Sequence, residues 1–600
     1  MIITAKDKIP IEKDFKVEAG PGAGKTEFLV NHIKNVLQIT TRLSCVRKVA
    51  CITYTNTAVE TILKRLGKGV ADKVEVSTIH SFLYKNVVKP YCSFIPNEYE
   101  LDCKKINGHD EFFVNSKYVR EWLDNKEFDK LDNPNTRNQI LKLPALNQAL
   151  KSWLLSIKCV YKSNTISFQC DNTKAVGYDN KKNIRNGLKA KNLKMLSSKL
   201  IELKKIYWRK GKLEHNDILF FSYILIEKYP FILDVLRAKY PYVFLDEYQD
   251  TNPVQAYIVS EIRKKETIVG VIGDKAQSIY SFQGADSSLF DSFKVDKNSK
   301  YTIIENHRSS NQIVKFLNNV RNDINQVPCD NMDLDEAIVF VGDRNTAYNK
   351  ACEICKEDKE KTVVSLSRDN INSNAMKKEI EGNDLNKKLL EEYSNMDSSS
   401  ERRNYILSFI ETIELAIYGK YKEAIKRVEW IFRKEEHPKK IALCSLSKML
   451  KEYNSYSEGT LMDFYDVICS ALNPNLSGFR KGNAKDFYEH NSYKSMAICI
   501  NIVDDTSNHI TIHKAKGSEY ENVMVIGTKN TKSLLLNPNL DTNEEHRVNY
   551  VGMSRAEKRL FIQIDDLTAD EYCTAHGGYD AGTITKQGFL LRLASYVVVI

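Results

Sequence analysis

An α/β chain of parallel sheets covered by helices is what this sequence predicts, on three grounds. Apolar or β-branched runs recur at Phe15 to Ala19, Val46 to Thr53, Tyr242 to Leu245, Thr267 to Ile272, Tyr301 to Ile304, Val523 to Ile526 and Leu560 to Ile564, and most lead through a turn into a helical pattern. The first run delivers a glycine-rich loop, Ala19-Gly20-Pro21-Gly22-Ala23-Gly24-Lys25-Thr26, to the start of an apolar-periodic helix. The third ends in Asp246-Glu247, at a strand's carboxyl end, where ligands of open α/β sheets collect.

Two stretches interrupt the alternation, at roughly 89–216 and 370–494, and both read as mainly helical. In the second, Ile406, Phe409, Ile410, Ile413, Ala416 and Ile417 recur at three- and four-residue spacing on one helix face. The polar segment from Glu391 to Ser400 reads as a linker. The expected division is therefore a first strand-rich unit at 1–90 and 215–285, interrupted by 91–214, a second at 286–370 and 496–565, interrupted by a smaller 371–495, and a tail at 566–600.

The glycine-rich loop has a direct chemical reading. Its backbone N–H groups close around phosphate oxygens at a helix N-terminus, Lys25 reaches the outer phosphates, and the Thr26 hydroxyl ligates Mg²⁺. Asp246 holds the other side of the metal, which leaves Glu247 to polarise a water. Ala19 stands where the usual loop pattern has glycine.

Lys and Arg number 88 against 78 Asp and Glu, a net charge of +10, which suits a polyanionic partner. Between Lys181 and Lys212 twelve Lys or Arg face one acid, Glu202, with Tyr207 and Trp208 interleaved. That stretch reads either as a phosphate-tracking, base-stacking surface or as a solvated helix face. The 13 cysteines are scattered, as reduced thiols in a cytosol are, and the Cys352–Cys355 pair lacks a second pair, which favours burial in a helix over metal ligation. The first residues lack the pattern of a secretion signal and no run of about twenty apolar residues occurs, so a soluble, cytoplasmic chain with no membrane contact is expected. The apolar end from Phe589 to Ile600 is expected to fold back on the second strand-rich unit or to dock a partner.

Beyond the loop, Thr53-Tyr-Thr-Asn56, Ser77-Thr-Ile-His-Ser-Phe82, Asp246-Glu-Tyr-Gln-Asp-Thr251, Gly273-Asp-Lys-Ala-Gln-Ser-Ile-Tyr-Ser-Phe-Gln-Gly-Ala285, Asn306-His-Arg-Ser309, Thr511-Ile-His-Lys-Ala-Lys-Gly-Ser-Glu519 and Asn549-Tyr-Val-Gly-Met-Ser-Arg-Ala556 follow in order. The series resembles the UvrD/Rep/PcrA group of superfamily 1 DNA helicases. The resemblance implies two RecA-like P-loop motor domains with parallel sheets, each interrupted by a mainly helical insertion, with ATP and Mg²⁺ in the cleft between them. It implies a catalytic set of Lys25, Glu247, Gln277, Arg308 and Arg555, with Gln277 sensing the γ-phosphate and the two arginines supplied by the second motor. Glu519 then meets the ribose and His307 stands where a tyrosine commonly stacks on adenine. DNA contacts fall to Tyr54, Thr55, Asn56, His80, Tyr280, Phe282 and His513.

Taken singly, these residues have plainer readings: Tyr280 and Phe282 as core, His80 and His513 as structural histidines, Arg308 and Arg555 as surface ion-pair partners. Membership in one ordered series favours the functional reading. Departures from the family pattern are a missing glutamine ahead of the P-loop, the first being Gln38, and Gln283 in place of an arginine. The implied function is an ATP-dependent single-stranded DNA translocase or helicase, moving 3′ to 5′ on single-stranded or tailed duplex DNA. The rival is a DNA-sensing ATPase subunit, as in Gabija-type antiphage systems, that controls a separate effector nuclease or ATPase.

Overall fold

The computed structural model describes residues 1–566, apart from 71, 125–130, 132–134, 180–183, 330–331, 358–361, 382–384, 434, 473, 475, 480–481 and 501–506, together with 597–599. Seven parallel strands form the first sheet, in the order Ile2–Ile3, Lys300–Ile303, Phe15–Ala19, Ile268–Gly273, Tyr242–Leu245, Val49–Thr53, Val74–Thr78. Every residue of Tyr242–Leu245 and Val49–Thr53 is buried. Helices cover both faces, which is why these strands read as unbroken apolar runs without alternation.

The second sheet has six parallel strands, His509–Thr511, Val363–Ser367, Tyr520–Ile526, Ala556–Ile564, Ala337–Val341 and Val597–Val599 in spatial order. Its outermost strand comes from the apolar chain end and lies beside Ala337 to Val339. The remainder of that end, 567–596 and 600, is outside the described residues. One boundary needs correction. The run around Tyr301, assigned from sequence to the second unit, pairs with Phe15–Ala19 in the first sheet, so the crossover falls after Ile303 and not at 286. Local pattern marks a strand but not the sheet it joins, because pairing is set by residues almost 300 positions away.

The first insertion carries helices such as Pro144–Leu155 and Leu200–Trp208, and adds two antiparallel hairpins, Lys158–Lys162 with Thr165–Gln169 and Val176–Asp179 with Ile184–Gly187. Its apolar residues, Trp153 and Trp208 among them, share one core with Phe221 and Val243 of the first unit. The second insertion closes around its own core of Tyr393, Phe409, Ile413, Phe464 and Tyr493.

The base-stacking reading of the basic stretch does not survive. Trp208 is 0% exposed and stacks on Phe220, while Tyr207 is buried against Tyr118. Lys204 is also fully buried, bonded to Glu214 at 2.6 Å and Asp217 at 2.7 Å. The stretch is an amphipathic scaffold, and its aromatic face belongs to the core; Lys181 and Lys182 lie outside the described residues. Cys355 is buried in the helix Arg344–Glu357. Among the described residues, no helix is long and apolar enough to cross a membrane.

Candidate nucleotide cleft and nucleic-acid track

The sheet order sets the carboxyl ends of Phe15–Ala19, Ile268–Gly273 and Tyr242–Leu245 side by side, so the P-loop, Asp246-Glu247 and the turn through Gln277 open on one cleft. Ala19 ends its strand buried, and Gly22 and Gly24 adopt left-handed backbone at φ 69° and 76° as the chain turns into the helix Lys25–Ile39. A Cβ on Gly22 would lie 2.5 Å from Asn306 Oδ1 and 2.7 Å from Arg308 Cβ, so glycine lets the far wall of the cleft rest directly on the loop. Asn306 and Gln326 both donate to the Pro21 carbonyl, at 3.1 and 2.9 Å, and the His307 N–H donates to that of Gly22 at 3.0 Å. Gln326 also lies against Gly20, and Ala23 is buried beneath the loop. Lys25 Nζ is turned onto the loop's own rim, 3.3 Å from the carbonyl oxygens of Ala19 and Gly20.

Burial and the neighbouring Glu247 push the Asp246 carboxyl up to about 7. Asp246, at the end of its strand and within the field of Lys25 and Lys516, and Thr26, the second residue of the helix that follows the loop, both offer oxygen ligands, a donor chemistry that fits a hard cation such as Mg²⁺. Glu247 behaves oppositely. Burial raises its carboxyl, but Lys25, Lys516 and a 2.5 Å hydrogen bond from Gln249 Nε2 more than offset this and hold it below the ordinary range. Its backbone is left-handed at φ 53°, an uncommon state for a residue other than glycine that concentrates at working sites. Two adjacent carboxyls driven apart in this way suit different tasks, one at a metal and one as an ionised base.

Arg555 enters from the second sheet and is buried. Its Nη2 donates to Gln277 Oε1 at 2.9 Å and its Nε to the Val551 carbonyl at 3.0 Å, while Gln277 Nε2 donates to Asp274 Oδ2 at 2.6 Å. Burial, with Arg308 beside it, lowers the Arg555 guanidinium to about 9. Arg308 has its backbone against the P-loop but turns its fork to Glu519, 2.8 Å from Nε, and to the Ser554 carbonyl, 2.9 Å from Nη1. His307 is exposed at the rim, with Nε2 3.1 Å from Glu305 Oε2.

A few residues beyond Gln277, Tyr280 stacks on Tyr54 with ring centroids 4.6 Å apart and 23° between planes. Tyr280 is buried, whereas Phe282 is 55% exposed and offers an open ring. The His513 ring edges both, at 5.9 and 5.5 Å, with Nε2 3.3 Å from the Ile279 carbonyl oxygen. Thr55 caps the helix Asn56–Leu66 by accepting from the Ala58 N–H at 3.2 Å, and Asn56 is exposed at its first position. Tyr54 lines two cavities. One of about 490 Å³ is lined by Thr55, Asn56, Ser81 and His80, and one of about 630 Å³ by His80, Lys158, Lys174 and Phe282. Burial, then His215 and His109, push His80 to about 3, so it meets this groove as a neutral imidazole.

Several participants escaped the sequence reading. Lys516 bonds Asp250, donates to the Gln277 carbonyl at 2.9 Å and stands 4.7 Å over the Tyr280 ring, tying Gln277 to the aromatic stack. It lies inside the quoted series, so the signal was present. Glu544 accepts from the Ser281 N–H at 3.0 Å, a second strut across the cleft, and no motif marks it. Arg321, also unmarked, bonds Asp274 at 2.7 Å with both side chains buried. Arg321→Leu leaves that buried carboxylate without its paired cation, held only by neutral donors such as Gln277 Nε2 and the Ala276 N–H, and is expected to cost about 3–5 kcal/mol of stability, seen as an earlier melting transition in calorimetry; an unchanged melt would show that those donors satisfy Asp274 without it.

Comparison with known proteins fits this geometry. Residues 5–298 match the UvrD/REP helicase N-terminal domain and 387–566 the UvrD-like helicase C-terminal domain. The chain is 26% identical over 330 residues to Gabija protein GajB of Bacillus cereus, covering 51% of the chain and 46% of that protein. It is 27% identical over 316 residues to ATP-dependent DNA helicase Rep of Buchnera aphidicola, 50% of the chain and 39% of Rep. To ATP-dependent DNA helicase PcrA of Bacillus subtilis it is 25% identical over 320 residues, 52% of the chain and 38% of PcrA. The matched stretch thus spans less than half the length of each of these relatives. With both halves of the family pattern matched and two parallel sheets facing one cleft, the chain belongs to the UvrD-like helicases of superfamily 1.

Proposed function

We propose that the protein is an ATP-driven motor, active in the cytoplasm, that moves 3′ to 5′ along single-stranded DNA and separates duplexes bearing a single-stranded tail. The observation that carries this reading is the 2.9 Å contact of Arg555 with Gln277, one residue from each sheet, meeting beside Glu247 and close to the aromatic track. A triphosphate entering the P-loop draws Lys25 Nζ away from the carbonyls of Ala19 and Gly20. Thr26 and Asp246 would hold Mg²⁺, which when bound would neutralise charge on the phosphate oxygens. Glu247 accepts the proton of the attacking water, and Arg555, joined by Arg308 once its fork leaves Glu519, braces the transferring phosphoryl group. Gln277 and Lys516 carry the state of that site to Tyr280, so cleavage alters the grip on DNA.

The deciding experiment measures ATP hydrolysis with and without single strands, and strand displacement on a 3′-tailed duplex. Strand-stimulated hydrolysis with displacement is expected, and both should vanish in Lys25→Ala. Hydrolysis indifferent to nucleic acid would overturn the motor reading. The similarity to GajB favours a second reading, in which a DNA-sensing ATPase governs an effector nuclease or ATPase partner. In that case displacement is absent from the purified chain, although strand-stimulated hydrolysis remains.

A further inference from the structure

Two short strands, Glu305–Asn306 and Val327–Pro328, pair in parallel, with Glu305 opposite Val327 and Asn306 opposite Pro328. Cys329 extends the ladder by donating its N–H to the Asn306 carbonyl at 3.1 Å. Side chains alternate across a strand, so Glu305 and His307 leave one face of this ribbon, and the same register sends Cys329 to that face beside them. Asn306 leaves the opposite face and clamps the P-loop through the Pro21 carbonyl. The ribbon therefore separates two tasks. One face holds the phosphate loop, while the other gathers a carboxylate, an imidazole and a thiol whose ligand atoms all lie within 4.8 Å of one another.

We propose that Glu305, His307 and Cys329 form a binding site for a borderline-soft divalent metal of the Zn²⁺ class, on the outer rim of the nucleotide cleft. A 3.1 Å approach of Glu305 to His307 alone would read as an ordinary ion pair. The ion pair gives no reason for a thiol on the same face. One oxygen, one nitrogen and one sulfur donor suit Zn²⁺ and are wrong for Mg²⁺, which takes oxygen ligands in a near-octahedral shell. This site is thus chemically distinct from the Thr26–Asp246 pair. Three protein ligands leave a fourth tetrahedral position to water, and the exposure of the His307 side chain, 45%, lets an ion enter from solvent without opening the fold. On binding, the Cys329 thiol releases its proton to water and becomes the thiolate ligand, so affinity rises with pH. The bound ion would fix the His307 ring while that residue's N–H stays on the Gly22 carbonyl, so metal on one face stiffens the contact with the P-loop on the other.

The site is tested without nucleotide, so its failure would leave the proposed motor activity untouched. Co²⁺ is titrated into the metal-free full chain, and one equivalent is expected to give a thiolate-to-cobalt absorption band that Zn²⁺ displaces and excess Mg²⁺ does not. Cys329→Ser should abolish the band. Glu305→Gln should keep it but weaken binding by at least about 100-fold, since loss of an outer partner alone already costs about 10- to 100-fold. In the unmodified protein, Zn²⁺ should slow alkylation of Cys329, read by peptide mass spectrometry, and leave the exposed Cys45 and Cys444 reacting at their usual rate. A band that persists in Cys329→Ser, or equal alkylation of all three thiols with and without Zn²⁺, overturns the assignment.

Discussion

Arg555→Ala is expected to lower kcat for DNA-stimulated ATP hydrolysis by about 10³-fold or more, the range set by arginines that stabilise phosphoryl transfer, equivalent to about 4 kcal/mol of barrier. The size of the effect follows from where the guanidinium sits. It is buried, its charge is disfavoured by burial and by Arg308, and the acids Glu247 and Glu519 only partly compensate. Such a cation gains most when a charged phosphoryl group arrives, because the desolvation cost is already met in the resting protein. The substitution removes the hydrogen bonds to Gln277, the Val551 carbonyl and Ser554 Oγ but leaves the P-loop contacts through Asn306, His307 and Gln326 intact, so nucleotide affinity should change little. Single-turnover hydrolysis alongside titration of a fluorescent ATP analogue separates the two quantities. A loss of less than about tenfold would place Arg555 in interdomain packing, not in catalysis.

How much of this architecture could be read in advance depended on what each residue's partners were. Phe15–Ala19 and Tyr242–Leu245 coincide with the runs marked from sequence, since strands covered on both faces must be continuously apolar. Val363–Ser367 was passed over because serine alternates with its valines and leucine. Those hydroxyls are buried, and Ser365 Oγ is paired with His509 Nδ1 at 2.7 Å, a partner 144 residues away that no local pattern reveals. The same blindness explains the basic stretch. A count of twelve cations against one acid leaves out Glu214 and Asp217, just beyond it, which neutralise Lys204 in the core.

At the site, the placement of the glycine-rich loop and of the strand-end acids on one cleft was legible, because such a loop and such a pair of acids need particular residue types at fixed spacing. Pairings made only by folding were not. Tyr54 and Tyr280 each had a proposed role on DNA, but they stack on one another in this state, so a base reaches the buried Tyr280 ring only if the stack opens, whereas Tyr54 lines two cavities and Phe282 is open to solvent. Arg308 likewise has its fork on Glu519, and its proposed reach to phosphate requires that pair to part. The resting molecule therefore holds two of its proposed contacts in reserve, the Tyr280 ring in its stack and the Arg308 fork on Glu519.

Glu247→Gln is the complementary substitution, expected to retain ATP binding and to slow hydrolysis by about 10²- to 10⁴-fold, the usual contribution of a placed general base. Glutamine keeps the size of the side chain and can still meet Gln249, and it leaves the left-handed turn at this position unaltered in shape. What it removes is the negative charge that Lys25, Lys516 and Gln249 keep ionised against burial. Asp246 is also relieved of its charged neighbour, so its carboxyl should drop from about 7 and its hold on a divalent cation should be no weaker. The variant should therefore trap a nucleotide-bound, DNA-gripping state: slow turnover, normal analogue affinity and longer residence on single strands. Measured together, unchanged turnover would remove Glu247 as the base, and weakened nucleotide binding would instead assign it to the metal, with Asp246 the residue left to activate water.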